Sequence, residues 1–402
     1  MNKMIKKTAA LCLALILLCS LAAAQAEPFT AQYTVTFGQS ECRAMLDSIN
    51  AFRQGSDAWY WNSDSTQKIY ATGLSALTYD YDLERIAMQR AAECALHYAH
   101  IRTDGTSCFT AYEQISPRSY WGMAENIAAG YPTANDVFIG WREDNDSYDG
   151  QGHRRNMLNS QFNAVGIGHV RCGGVDYWAQ EFSQVSSLVT APTPVQDGQA
   201  VVSAQVNESL ISSMTVSGLD ATALTLQYQA SAPLPTVSAR LTMTGFWSYM
   251  SDCVPVSVTP GWVSQNESCV RVSNGAALGW AVGDTTLTAA FRGSQFSLPV
   301  SVRYDGLATD FALPGAARTV ENQAFAGIAA QAVALPATVS RVEAQAFANC
   351  ARLRQVRVAS STTAFDDTAF QGCSGLVFLC PQGSTAETFA RNHGFSVVYI
   401  LP

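Results

Sequence analysis

Between residues 42 and 52 the apolar side chains fall at Cys42, Met45, Leu46, Ile49 and Phe52, the three-and-four spacing of a helix that buries one face. The spacing returns from about Leu83 to Tyr98, through Ile86, Ala87, Cys94 and Ala95, and predicts a second helix. Thr133, with Asp136 three residues on, is a capping-box pattern that opens a third helix carrying Val137 and Trp141. The period then shortens to that of strands over Ala164–Val170 and Val175–Phe182, parted by the turn signal Cys172-Gly173-Gly174. Helices flanking an antiparallel hairpin predict an α-β-α sandwich over residues 40–187.

Pro192, Pro194 and Gly198 among small polar residues mark a linker over 188–200. From 201 to 304 the pattern is all β, with alternating runs such as Leu224–Tyr228, Thr286–Phe291 and Phe296–Val302 separated by Gly and Asn. The stretch from Val270 to Val302 resembles the C-terminal half of bacterial Ig-like domains, which implies a β-sandwich spacer or adhesive module. Over 305–402 the chain repeats itself. Ala324-Phe325, Ala346-Phe347 and Ala369-Phe370 recur at intervals of 22 and 23 residues, and Asn349-Cys350 with Leu353 matches Gly372-Cys373 with Leu376. That period is the mark of a leucine-rich-repeat solenoid, and the Ala-Phe core looks like the BspA-like repeats of bacterial surface proteins. Cys350 and Cys373 are then inward-facing repeat positions. So short an array is expected to need its neighbour or its terminal segment as a cap.

Lys3, Lys6 and Lys7 precede an uncharged apolar run, and Ala24-Gln25-Ala26 supplies a small-x-small cleavage pattern, so residues 1–26 read as a Sec-type signal peptide. The run falls short of the roughly 20 residues a spanning helix needs. Cys19 follows the bulky Leu18, a poor site for lipid attachment. The expected protein is secreted or extracellular, with cell-wall association left open and no transmembrane segment after cleavage. Its net charge of −8 becomes more negative once three lysines leave, and Lys68 is then its one lysine. An acidic chain without basic runs argues against a nucleic-acid partner. Eleven cysteines without a CxxC pair argue against a zinc ribbon or a thioredoxin-like site. In an exported protein Cys42, Cys94, Cys108 and Cys172 could pair in three ways, and Cys253 with Cys269 in one.

Four of the five histidines lie in the first region. His100 sits in Tyr98–Gly105, and His153 in Gly150-Gln-Gly-His-Arg-Arg-Asn-Met-Leu158; Ala124-Glu125-Asn126-Ile127 and Trp141-Arg142-Glu143-Asp144 come between. Taken in order with Tyr177–Phe182, these motifs resemble the CAP superfamily of cysteine-rich secretory proteins, antigen-five and pathogenesis-related proteins, most closely its bacterial branch. The resemblance covers about residues 42–184. It implies a cleft holding His100, His153 and Glu125, with Asp144 as the second acid and Glu143 as its adjacent competitor. Ala124 stands where the family has glycine, and Asp144 is a methylene shorter than the usual glutamate. Neutral imidazoles ligate zinc-like cations, and two of them leave coordination positions open. The set therefore predicts a divalent metal held by His100 and His153 with Glu125 beside it, or else a polar network that fixes the histidine tautomers. Cys108 reads as a disulfide half or a loop residue rather than a nucleophile, and no serine lies in a Gly-x-Ser-x-Gly elbow. The resemblance also implies a lipid or other small ligand in the cleft, with the repeats contacting a protein or cell-surface partner. A secreted metal-assisted hydrolase with Glu125 as general base is the alternative. Whether the protein is an enzyme stays open at this level.

Overall fold

The computed structural model describes residues 28–245, 254–304 and 310–401; the predicted signal peptide and Cys253 lie outside them. The chain divides into two compact units, one reaching to Gly218 and including Ser238–Val258, the other formed by Leu219–Val237 and everything from Thr259 on.

The first unit begins with β1 (Phe29–Gly38), in which Ala31, Tyr33 and Val35 are buried while Thr30, Gln32 and Thr34 face out, the alternation of a half-buried strand. Helix α1 (Gln39–Gln54) follows directly. A short hairpin, β2 (Trp59–Trp61) and β3 (Lys68–Tyr70), and the two-residue β4 (Thr78–Tyr79) lead to α2 (Tyr81–Leu96), whose first amides are capped by the Asp80 carboxylate. After α3 (Thr110–Ile115) come β5 (Trp121–Ala129), α4 (Ala134–Arg142) and α5 (Gly152–Met157). Thr133 caps α4 by accepting from the Asp136 amide, as its spacing predicts. The hairpin β6 (Ala164–Cys172) and β7 (Val175–Gln184) turns on Gly173 and Gly174 at φ 59° and 90°, a left-handed pair that favours glycine.

The central sheet has the order β5-β7-β6-β1, so β5 is an edge strand. Met45, Ile49 and Phe52 of α1 pack with Val137 and Trp141 of α4 against Trp178 and Phe182 on one face. Leu83 and Ile86 of α2 and Tyr112 of α3 cover the other. Two glycines set how closely α2 approaches. A Cβ on Gly166 would lie 2.0 Å from the Leu83 carbonyl carbon, and one on Gly168 2.3 Å from that of Ala87. The expected CAP-like α-β layering is present.

The boundary after it differs from the expected pattern. Residues 197–206, which straddle the predicted linker and the β-rich region, form β8 (Asp197–Val206) and pair antiparallel with the full length of β1, from Phe29↔Val206 to Gly38↔Asp197. Strands Ile211–Leu219, Val237–Met243 and Val254–Val258 continue the same sheet. Without these partners β1 would leave a row of unsatisfied amides and carbonyls along its edge.

In the second unit, strands Leu224–Gln227, Ser294–Arg303, Gly283–Phe291 and Trp262–Ser264 form one sheet and Ser231–Pro233, Ala276–Gly279 and Val270–Ser273 another, around Leu226, Trp262, Leu287 and Leu298. The repeats wind as a solenoid. Each turn places a strand in a five-stranded parallel sheet, as with Ala332–Leu335, Gln355–Val358 and Val377–Cys380, and a two-residue strand in a second parallel sheet. Phe325, Phe347 and Phe370 stack at 5.4 and 5.2 Å, because a fixed repeat returns each ring above the last. Cys350 is buried in this column. Helix α6 (Thr385–Asn392) and strand Ser396–Tyr399 cover the last turn, and Val282 of the β-rich segment donates to the Tyr399 carbonyl at 2.7 Å, so both predicted kinds of cap are present. No described helix is long and apolar enough to cross a membrane.

Cys42, Cys94, Cys108 and Cys269 carry free, buried thiols, so the bridges expected among them are not formed. Several already meet a backbone acceptor, with Cys42 directed at the Gly38 carbonyl and Cys269 at that of Ala281, while Cys172 is directed at Thr34.

Gly168→Ala should overpack the α2–β6 contact and lower the stability of the first unit by about 2–3 kcal/mol, whereas Gly152→Ala, with open space around its Cα, should shift it by less than about 0.5 kcal/mol. Urea unfolding of the two variants measures both.

Candidate functional site

Edge strand β5 organises the polar centre, because successive side chains on a strand point to opposite faces. Glu125 points toward α2. Its Oε2 accepts from Arg90 Nε at 2.6 Å and its Oε1 lies 2.7 Å from His100 Nδ1. Arg90 is fully buried, reaches Glu93 at 2.6 Å, and donates to the Ala99 carbonyl at 2.7 Å just before His100. Arg102 closes the group from the far side, with Glu93 Oε1 at 2.6 Å. The neighbouring Asn126 turns the other way, donating to the His153 carbonyl at 3.2 Å and accepting from Asn156 at 2.8 Å. One two-residue step of β5 therefore tethers both predicted histidines, His100 through its ring and His153 through its backbone carbonyl.

His153 pairs through Nδ1 with Glu143, which ends α4 in a left-handed conformation at φ 50° and so turns back toward α5. Glu143 also accepts from the Arg154 amide at 3.2 Å. The second acid beside a histidine is thus Glu143. Asp144 instead accepts from the buried Arg154 at 2.6 Å and pairs with Arg142 at 2.9 Å, because the backbone reversal at Glu143 sends the next side chain away from the imidazole. Spacing alone could not separate these neighbours; the left-handed residue at the helix end does. His97 and His169 are buried, and desolvation holds both below the ordinary imidazole range.

Sequence reasoning missed two members. Glu181 of β7 faces Glu125 directly across the strand pair, with Tyr112 donating to its Oε2 at 2.8 Å. The signal available was the strand Tyr177–Phe182, but no local pattern registers Glu181 against Glu125. The other is Cys108. Its amide donates to the His100 carbonyl at 3.1 Å, closing the loop between them, and the donor atoms of His100, Cys108 and Glu125 lie within 4.8 Å of one another. An imidazole, a thiol and a carboxylate that converge in this way fit a zinc-like cation by donor chemistry. His153 is not part of that compact group.

The buried acids split. Burial opposes ionisation of Glu125, but the Arg90 charge and hydrogen bonds from His100 and Arg90 outweigh it and hold the carboxyl at about 2. Burial first, and then the charge of Glu125, push Glu181 well above the ordinary carboxylate range. One buried anion beside one neutral acid is the arrangement expected of two carboxyls forced together. Burial likewise raises the Cys108 thiol to about 12.

The first unit thus layers helices on both faces of a sheet, with two imidazole–carboxylate pairs tethered to one edge strand. Residues 46–182 match the cysteine-rich secretory protein (CAP) family, and residues 304–387 match the BspA type leucine-rich repeat region, in six copies. The chain carries both modules. Uncharacterized protein YkwD of Bacillus subtilis is 38% identical over 64 residues, which are 16% of this chain and 22% of that protein, so well under two thirds of the relative is spanned. Among solved structures, an extracellular protein containing an SCP domain from Bacillus anthracis is similar at 22% identity and a TM-score of 0.27, covering 36% of this chain and 41% of that one. An outer surface protein of Borrelia burgdorferi is similar at 16% identity and a TM-score of 0.28, covering 36% and 93%.

Glu125→Gln takes from the buried Arg90 one of its two carboxylates, Glu93 being the other, and should cost about 3–5 kcal/mol at neutral pH, whereas Glu181→Gln imitates a neutral acid and should cost less than about 1.5 kcal/mol. The depressed Glu125 carboxyl contributes stability that is present above its ordinary value of 4.5 and is lost as pH falls toward about 2. Acid titration of unfolding should show that loss in the parent protein and in Glu181→Gln, and a shallower one in Glu125→Gln.

Proposed function

We propose that this is an extracellular, cell-surface binding protein whose CAP domain takes a divalent cation at the imidazoles of His100 and His153, while the leucine-rich repeats engage a protein or surface partner. The observation that carries this reading is the pair of partly exposed imidazoles, with side chains 45% and 34% exposed, each backed by a carboxylate no more than 9% exposed. A carboxylate on one ring nitrogen fixes the tautomer and orientation of a ligating imidazole. The basic-then-apolar N-terminus and the pairing of CAP with BspA type modules support an extracellular setting. The β-rich segment before the repeats then serves as an Ig-like spacer.

The electrostatics favour binding over hydrolysis. A general base works best with a pKa near the operating pH. Glu125 is held far below it by the Arg90 charge beside it. Calorimetric titration of the purified chain with Zn²⁺ should show saturable binding that is lost in the His100→Ala/His153→Ala double variant. Identical isotherms for the two proteins overturn the cation reading.

A further inference from the structure

The loop between His100 and Cys108 is built to bring both ends together. Ile101 and Ser107 form an antiparallel bridge, Arg102 donates to the Thr106 carbonyl at 2.8 Å, and Cys108 donates to that of His100 at 3.1 Å. The loop thereby returns the thiol to the imidazole that opened it, and Glu125 meets both from β5. Within the described residues, this is the group in which three potential metal donors converge.

We propose that Cys108, with His100 and Glu125, completes a His-Cys-Glu site for a zinc-class cation. This rests on the reading that the cleft takes a cation, but it assigns the third donor to a thiolate rather than to His153. Bond lengths near 2.0–2.3 Å put tetrahedral ligand atoms about 3.3–3.6 Å apart, so donors within 4.8 Å of one another reach a common ion by small shifts, the 2.7 Å His100–Glu125 contact opening as the ion replaces it. Access is from the His100 side, whose imidazole is half-exposed while Glu125 and Cys108 are buried. The protein side is held in advance: Arg90 grips Glu125 Oε2 at 2.6 Å and reaches Oε1 only at 3.4 Å, Oε1 is turned toward His100, and Arg102 anchors the loop to Glu93.

Charge and donor type select the ion. Arg90 and Arg102 are balanced by Glu93 and Glu125, so an added dication needs a further negative ligand. Cys108 supplies it by losing its thiol proton to solvent as the metal–sulfur bond forms. A set of sulfur, nitrogen and oxygen favours zinc, or cobalt in its place, over the oxygen-seeking magnesium and calcium. One position stays open for water or a ligand.

Cobalt titration of the full chain, kept reduced and followed by absorption, tests this. The parent protein should develop a thiolate-to-cobalt charge-transfer band. Cys108→Ser and Cys108→Ala should lose the band and bind at least the 10–100-fold more weakly that even loss of an outer partner produces. His153→Ala should keep the band. Cobalt binding without the band, a band that survives both Cys108 variants, or unchanged affinity in them overturns the Cys108 site. If binding instead depends on His100 and His153 alone, the cleft reading stands without it. If the parent protein binds no cobalt, both fall. Circular dichroism of the Cys108 variants separates lost binding from lost folding.

Discussion

A guanidinium with no exposure to water dictates the architecture of the polar centre. Arg90, in the middle of α2, cannot stay charged inside the sandwich unless its donors are met, and they are met by Glu125 of β5, Glu93 of its own helix and the Ala99 carbonyl. Helix, edge strand and the loop that starts at His100 are therefore joined at one point. The same demand decides the proton balance around it. Arg90 keeps Glu125 ionised, and burial, helped by that charge, keeps Glu181 neutral.

A second buried arginine does the equivalent work on the opposite face. Arg154 of α5 binds the carbonyls of Arg142 at 2.6 Å and Asp57 at 2.5 Å and the carboxylate of Asp144 at 2.6 Å, fixing the segment between α4 and α5. Glu143 is left to hold His153. Each histidine is thus positioned by a carboxylate whose surroundings are locked by an arginine that solvent does not reach. Such preorganisation suits the capture of a ligand. It works against proton transfer at Glu125, since a carboxyl beside the Arg90 guanidinium has little affinity for another proton.

The modules beyond the CAP domain obey a different economy of contacts. β8 completes the edge of β1, so the predicted linker region is structural sheet as well as a connection. In the repeats, stability is a stack of near-identical layers, visible in the rings of Phe325, Phe347 and Phe370, and the stack ends where α6 and the final strand cover it.

Local signals were enough for much of this. The three-and-four spacing of α1 and α2, the Thr133 cap of α4, the Gly173-Gly174 turn and the 22-residue repeat are all properties of neighbours in the chain, and they appear where their patterns place them. Resemblance singled out His100, Glu125 and His153, of which the fold joins His100 to Glu125 directly. Tertiary structure decided the rest, because it depends on contacts between residues far apart in sequence. The register of β5 against β7 set Glu181 opposite Glu125. The left-handed end of α4 chose Glu143 over Asp144. Closure of the loop after α2 carried Cys108 to His100, and the open edge of β1 took β8 for its own sheet. Burial then set the charges: a composition counts carboxyls, but only their placement around Arg90 determines which one keeps its proton.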